Sequence, residues 1–343
     1  MTDRKKSAAL GVGVIGYGYW GPNLVRNFMT DSDTRVVAVC DRSKERLRDV
    51  ERLYPGVRTT AEPRDLFSNT EIDAIAIATP VATHFELARD ALRAGKHVLV
   101  EKPIASTSDE SSQLIDEAAR RNLVLLVDHT FVFTGAVTKI REVIHEPSFG
   151  KLQYYDSTRV NLGLFQHDVN VMWDLAVHDL SIMDHVIGVS PVAVSATGLS
   201  HVPGQPANVA FMTLFFDTDV IAHINVNWLS PVKIRRTLVG GSKRMIVYDD
   251  LETSEKVKIY DKGITVTETP DEVRKLLISY RTGDLWSPKV NDTEALRLEV
   301  AHFRNCIEGK EKPLTPGERG LAIVRMLEAA DESMKKRGEA IEL

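Results

Sequence analysis

Three side chains in this sequence have the types and spacing needed to move a proton and hold a negative charge. Lys102 stands in Glu101-Lys102-Pro103, directly after the apolar run His97–Val100. An ammonium at the mouth of a buried strand stabilises an alkoxide, or lowers the pKa of a substrate hydroxyl. Pro103 fixes the backbone beyond it and limits where the ammonium points. A solvated Lys–Glu surface pair is the competing reading. Asp174 and His178 lie four residues apart in a stretch patterned as a helix, Asn170 to Ile187, and so share a face. Ser181 and His185 continue that line, and Leu175, Ile182 and Val186 form the apolar side. A carboxylate one turn before a histidine orients the imidazole and raises its basicity, which suits a general acid–base near neutral pH. A purely structural Asp–His hydrogen bond competes with this. A metal pair lacks further spaced ligands, so no metal site is expected. His201, His223 and His302 read as structural or surface residues.

Such groups need a reactant delivered to them, and the stretch Gly11 to Asp41 has the order of a dinucleotide-binding β-α-β unit. Val12, Val14 and Ile15 make a short apolar strand; Gly16, Gly18 and Gly21 form G-x-G-x-x-G, and Pro22 pre-sets the start of a helix. Gly16 permits the tight turn, Gly18 lets backbone approach a pyrophosphate, and Gly21 lets the helix pack on the strand. Tyr17, Tyr19 and Trp20 fill the loop and are expected to line the cofactor with the glycines. A second apolar run, Val36 to Cys40, ends at Asp41, 20 residues beyond Gly21, where a carboxylate accepts ribose hydroxyls. A phosphate-free turn, or a site for another adenosine ligand such as a methyl donor, is the alternative. Asp41 favours NAD, since a second anion would face the 2′-phosphate of NADP. Arg42 keeps NADP open, by stacking on adenine or swinging to that phosphate. Thr79, Pro80 and His84 follow the apolar run Ala74–Ala78, where a nicotinamide and its ribose would pass. The other reading is a Pro-terminated strand with Thr83 as a helix cap. Glu101 and Lys102 lie at the next strand end and are counted with the cofactor residues too.

The chain has 343 residues, enough for about two domains with well-buried cores. A net charge of -5 with interspersed signs provides no basic footprint for nucleic acid. Cys40 and Cys306 lie far apart without metal-ligand spacing, so neither a disulfide framework nor a zinc site is expected. MTDRKKSAAL runs straight into the first strand, and no run approaches the length of a membrane span. The expected location is the cytoplasm.

Residues 11 to about 128 alternate strand and helix, the mark of a parallel, doubly wound sheet. Beyond Lys151 the runs at 151–160, 192–197, 208–216, 220–228, 234–239 and 244–248 read as consecutive strands, hence a mostly antiparallel sheet. Helices near 294–308 and 317–336 close the chain. The expected division is a dinucleotide-binding domain over 1–128 and a substrate-binding and oligomerisation domain over 129–343.

Taken together, Gly16 to Gly21, Ala78-Thr79-Pro80 with His84, Glu101-Lys102-Pro103 and Trp173-Asp174-Leu175-Ala176-Val177-His178-Asp179 resemble the glucose–fructose oxidoreductase and inositol dehydrogenase (Gfo/Idh/MocA) family. The resemblance covers nearly the whole length. It implies an α/β protein with an N-terminal Rossmann domain and a C-terminal α/β domain on an open, mostly antiparallel sheet. That sheet often supplies a dimer or tetramer interface, so a homodimer or homotetramer is expected, with neither nucleic acid nor membrane as partner. By resemblance Lys102 is the active-site lysine, His178 the acid–base and Asp174 its relay partner. Asn161 falls at a substrate contact, and the Lys102–Pro103 peptide is often cis in such enzymes. The segment Asn161 through Asp179, with Gly283 to Lys289, resembles members that act at C3 of nucleotide-linked amino sugars. Lys289, Arg159, Arg235 and Arg281 are then candidates to meet a diphosphate, against the plainer reading of surface charges. The implied activity is hydride exchange between nicotinamide and a sugar carbinol. Two alternatives stay open: a dehydrogenase of free sugars or cyclitols, and a sensor that binds NAD(P)(H) without chemistry.

Overall fold

The computed structural model describes residues 9–163, 169–266 and 278–343. The chain start (1–8) and the 164–168 portion of the Asn161–Asp179 segment lie outside these. Contacts divide the chain into two compact units, 1–133 with 293–325 and 134–292 with 326–343. Residues 293–325, grouped above with the second domain, therefore pack in the first.

The first unit is a six-stranded sheet of β1 (Leu10–Ile15), β2 (Thr34–Cys40), β3 (Arg58–Thr60), β4 (Ala74–Ile77), β5 (His97–Glu101) and β6 (Leu125–Asp128). Its order is β3-β2-β1-β4-β5-β6, all pairs parallel. Parallel strands with helices on both faces must be apolar throughout, and all four residues of β4 are buried. Local chemistry sets the helix ends. The Ser43 side chain accepts the Arg46 amide to open Lys44–Leu53, and Thr107 does the same for Ser108–Arg121. Asn122 closes the latter helix in the left-handed conformation, at φ 53°. The core joins Val12, Val14, Leu24, Phe28 and Leu99 to Leu296, Val300 and Phe303 of the helix Ala295–Ile307. That late helix is also clasped through Glu294, which accepts Arg26 Nη1 and Nη2, at 2.9 and 2.6 Å, and Asn27 Nδ2 at 3.1 Å.

The second unit holds β7 (Leu152–Leu162), β8 (Ala193–Leu199), β9 (Val209–Phe215), β10 (Ile221–Asn227), β11 (Leu229–Gly241), β12 (Met245–Asp249) and β13 (Val257–Tyr260). It continues with β14 (Gly263–Val266), β15 (Ile278–Arg281), β16 (Leu285–Trp286) and β17 (Ile341–Glu342). Among the described residues the main sheet runs β16-β13-β12-β11-β7-β10-β9-β8-β17, with β14 and β15 as a separate pair. Only β7–β10 is parallel; the other pairs are antiparallel, as the run of short strands without intervening helices predicts. One face is buried, through residues such as Tyr155, Ala210, Met212, Leu214 and Ile224. The opposite face keeps Phe211, Phe215 and Ile221 exposed, with Phe215 and Ile221 directly paired across β9 and β10.

Candidate active site

In the first unit the glycine loop joins β1 to the helix Gly21–Thr30. Gly16 sits at φ +94°, and a Cβ there would come within 2.4 Å of the Ala78 carbonyl oxygen. A Cβ on Gly21 would meet the Gly16 oxygen at 2.0 Å. Packing alone requires glycine at both. At Gly18 a Cβ would meet nothing closer than the Arg46 guanidinium at 3.6 Å, so the chain itself leaves room there. No side chain caps the first turn of the helix, and no acid stands in it. An open glycine beside uncapped helix amides fits a pyrophosphate. Tyr19 is 93% exposed at the loop tip, while Tyr17 is buried.

Asp41 is buried at the end of β2 and bound to this loop. Its Oδ2 accepts the Tyr17 amide at 2.7 Å and its Oδ1 the Ser43 amide at 2.7 Å, with Arg46 Nη1 3.4 Å from Oδ2. Arg42 is exposed beside it. The carboxylate expected to read the ribose thus also holds the glycine loop. Arg46, absent from the sequence reading, is the cation that reaches over Gly18. Asp41→Ser is expected to raise KM for NAD at least about tenfold, narrow the preference over NADP, and cost about 1–3 kcal/mol through the two amides left unpaired. Kinetics with both cofactors and urea denaturation check this; an unchanged NAD/NADP ratio would remove Asp41 from cofactor choice.

At the neighbouring strand ends, Thr79 is half-buried and Pro80 exposed, whereas His84 is buried. The His84 ring bridges two carbonyls, with Nδ1 2.8 Å from Pro103 O and Nε2 2.8 Å from Thr79 O. Burial pushes its pKa down, so it stays neutral, and its single N–H serves one carbonyl at a time. His84 therefore joins the segments that follow β4 and β5. The Thr83 side chain does not cap the helix; its hydroxyl bonds Thr79 Oγ1 at 2.7 Å. Lys102 is half-buried at the carboxyl end of β5, its peptide bond to Pro103 is cis, and its amide donates to Glu101 Oε2 at 3.1 Å. In register with Glu101 across β6 lies Asp128, which accepts Trp20 Nε1 at 2.7 Å.

In the second unit, the expected helix 170–187 is two pieces, a π turn over Met172–Ala176 and an α-helix over Val177–Ile187. Asn170 Oδ1 accepts the Met172 amide at 2.9 Å, and Asp331 takes Asn170 Nδ2 at 2.7 Å and Trp173 Nε1 at 2.8 Å. The π turn is wider than an α turn, so the simple four-residue argument does not by itself set how Asp174 faces His178. Asp174 Oδ2 accepts Trp228 Nε1 at 3.0 Å, and both Asp174 and His178 are half-buried. Ser181 donates to the His178 carbonyl at 2.7 Å, while His185 is buried against Arg141. Asn161 is half-buried near the end of β7.

The diphosphate candidates fare differently. Arg159 is buried in an ion pair with Asp179 at 2.6 Å, Arg281 pairs with Asp261 at 2.8 Å, and Arg235 with Asp250 at 3.1 Å. These three cations are engaged by carboxylates; Lys289 is exposed. Cys40 and Cys306 are free and buried, with burial pushing the thiols up to about 12 and about 11. No helix among the described residues is long and apolar enough to cross a membrane.

Residues 10–129 match the family model described as oxidoreductase family, NAD-binding Rossmann fold, and residues 165–343 match that of its C-terminal alpha/beta domain. The chain belongs to the Gfo/Idh/MocA oxidoreductase family. Among its relatives, a UDP-N-acetylglucosamine 3-dehydrogenase of Acidithiobacillus ferrooxidans is 28% identical over 332 residues, 95% of this chain and 98% of the relative. A scyllo-inositol 2-dehydrogenase (NAD(+)) of Bacillus subtilis is 24% identical over 328 residues, 92% and 89% of the two chains. The structure of GenD2 from gentamicin A biosynthesis, solved with NAD, superposes with a TM-score of 0.81 over 100% of this chain and 99% of that one. At 21% identity it speaks for the fold alone. The glycine loop, Asp41 and the β4 and β5 ends thus belong to the NAD-binding Rossmann domain of a Gfo/Idh/MocA oxidoreductase. Trp228, Asp128 and Arg46 carried no sequence signal of their own, since each acts through a partner distant in the chain or on another turn. Asn170, ahead of an apolar helix, did carry the signal of a cap.

Proposed function

We propose that this Gfo/Idh/MocA enzyme exchanges a hydride with a carbinol carbon of a sugar, a nucleotide-linked amino sugar at C3 being the favoured substrate. The observation that carries the reading is Lys102 at the carboxyl end of β5, in the sheet whose glycine loop is built for a dinucleotide. When bound, the nicotinamide supplies the hydride acceptor or donor. Gly16, Gly18, Gly21 and Asp41 hold the dinucleotide, and Tyr17, Tyr19, Trp20, Arg42, Thr79, Pro80, His84 and Glu101 line or support its site. His178 takes the hydroxyl proton, Asp174 keeps its imidazole in place while itself held by Trp228, and Lys102 stabilises the developing oxyanion. Asn161 meets the sugar. The 28% identical relative named as a UDP-N-acetylglucosamine 3-dehydrogenase, similar over 95% of this chain, supports the nucleotide-sugar choice.

The test is a panel of UDP- and dTDP-sugars, free sugars and cyclitols, each followed at the nicotinamide absorbance with NAD and with NADP. Turnover of a nucleotide sugar is expected. Turnover of free cyclitols alone moves the substrate to the inositol class, and cofactor binding without turnover of anything leaves the sensor reading.

We also propose that a second copy of the chain covers the exposed face of the main sheet, in the cytoplasm. Phe215 and Ile221 are exposed as a cross-strand pair there, with Phe211 exposed further along β9, apolar surface that a partner would cover. Phe215→Glu is expected to reduce the mass measured by light scattering to that of one chain. An unchanged multiple, or a wild type that is already single, sinks this.

A further inference from the structure

Three carboxyl groups meet inside the first unit. Glu299, on the helix Ala295–Ile307, is fully buried, Asp128 at the end of β6 is nearly so, and Glu101 stands opposite Asp128 in register. Carboxylates buried this close to one another cannot all stay ionised, so protons relieve part of the charge. The donors decide which carboxyl stays ionised. Trp20 Nε1 and the Thr130 hydroxyl both donate to Asp128. Glu299 meets no aligned N–H or O–H among the described residues, because the Thr130 hydroxyl beside it is committed to Asp128.

We infer that Glu299 is a positioning residue, which through Asp128 joins Trp20 of the glycine loop to the Glu101–Lys102 strand end. Burial, and then Asp128 beside them, push both Glu299 and Glu101 well above the usual carboxylate range. Each is therefore a neutral acid that donates to the Asp128 carboxylate, and the group holds one negative charge. The titratable and charged groups facing it are Asp128 at the end of β6 and His129 after it, Glu101 at the end of β5 and Lys102 after it, and Arg319 on the His129 side. His129 adds no charge: burial pushes its pKa down to about 4. Asp128 thus fixes the indole beside Gly21, while Glu101 accepts the Lys102 amide. A helix far along the chain holds both sides of the cofactor edge in one geometry.

The experiment compares wild type with Glu299→Gln and Glu299→Ala in the full-length enzyme. Glutamine keeps a donor toward Asp128 but cannot ionise, so it imitates the neutral acid; alanine removes the donor. The readouts are kcat, KM for NAD, and the indole ¹⁵N–¹H resonance of Trp20, assigned with Trp20→Phe. Expected for Glu299→Gln is kcat within about threefold of wild type and a Trp20 resonance near its original place, with its movement on raising pH at least halved. Expected for Glu299→Ala is a displaced Trp20 resonance and a loss of kcat of about tenfold or more. The inference is overturned if glutamine, in a folded protein, costs as much kcat as alanine and displaces the indole, or if the pH response of the indole is unchanged in Glu299→Gln. Should Glu299→Ala fail to fold, the glutamine variant decides alone. The kcat readout rests on the hydride-transfer reading but the indole readout does not, so the two ideas fail separately.

Discussion

Lys102→Met is expected to lower kcat by about 10²–10³-fold or more, the loss typical when one preorganised donor to an oxyanion is removed. Methionine keeps much of the length and apolar stem of lysine but has no charge to offer a developing alkoxide. The backbone around position 102 should survive the change. It is held by β5, by the Glu101 carboxyl on the residue 102 amide, and by the His84 ring against Pro103 O. Cofactor affinity, assigned in the proposed function to the glycine loop and Asp41, should stay near wild type. Steady-state rates on the best sugar of the panel, with titration of NADH fluorescence, separate the two. A kcat within about threefold of wild type would remove Lys102 from the chemistry.

Asp179→Ala is expected to cost about 3–5 kcal/mol of stability, because it strands a buried guanidinium without its counter-charge. The side chains of Arg159 and Asp179 are 4% and 2% exposed. Arg159 Nε donates to Asp179 Oδ2 at 2.6 Å, and the Ser157 hydroxyl donates to Oδ1 at 2.6 Å. Each charge was taken out of water on the condition that the other is present. The exposed pair Lys336–Glu332, at 2.7 Å, is by contrast worth about 1 kcal/mol or less. Replacing both partners, as Arg159→Met with Asp179→Leu, should recover much of the loss, since no buried charge then remains. Urea denaturation of the single and double variants measures this, and a loss below about 1 kcal/mol for Asp179→Ala would contradict it. Asp179 follows His178 directly, so the single variant should also loosen the helix that carries the proposed acid–base. Activity should then fall before the protein unfolds globally.

Much of the fold was legible because its signals are local. Gly16 and Gly21 mark backbone that no side chain can share, and the continuous apolar run Ala74–Ala78 marks a strand covered on both faces. The parallel sheet followed by a mostly antiparallel one was readable for the same reason, because hydrophobic period and turn chemistry act over a few residues. The candidate chemical groups were legible too. Lys102 ends a strand, and Asp174 with His178 stand four apart.

What those groups touch was not legible. The π turn at Met172–Ala176, the Trp228 indole on Asp174, and the Asp179 carboxylate that took Arg159 away from any diphosphate all depend on residues brought together from distant parts of the chain. Arg159 and Arg235 have the same residue type and lie in adjacent strands, yet one is buried in an ion pair and the other pairs nearer the surface. Glu299 is the sharpest case. On sequence alone it is one acid in an amphipathic helix, and glutamate is a residue expected at the surface. Residue types and short spacings, which obey local backbone and solvation rules, therefore announced the glycine loop, the strand ends and the candidate reactive side chains. Only the tertiary structure, by returning residues 293–325 to the first unit and setting the partner of each buried charge, decided which carboxyls are buried together and which cations are engaged. Those outcomes depend on desolvation and through-space charge, which the linear order of residues does not encode one turn at a time.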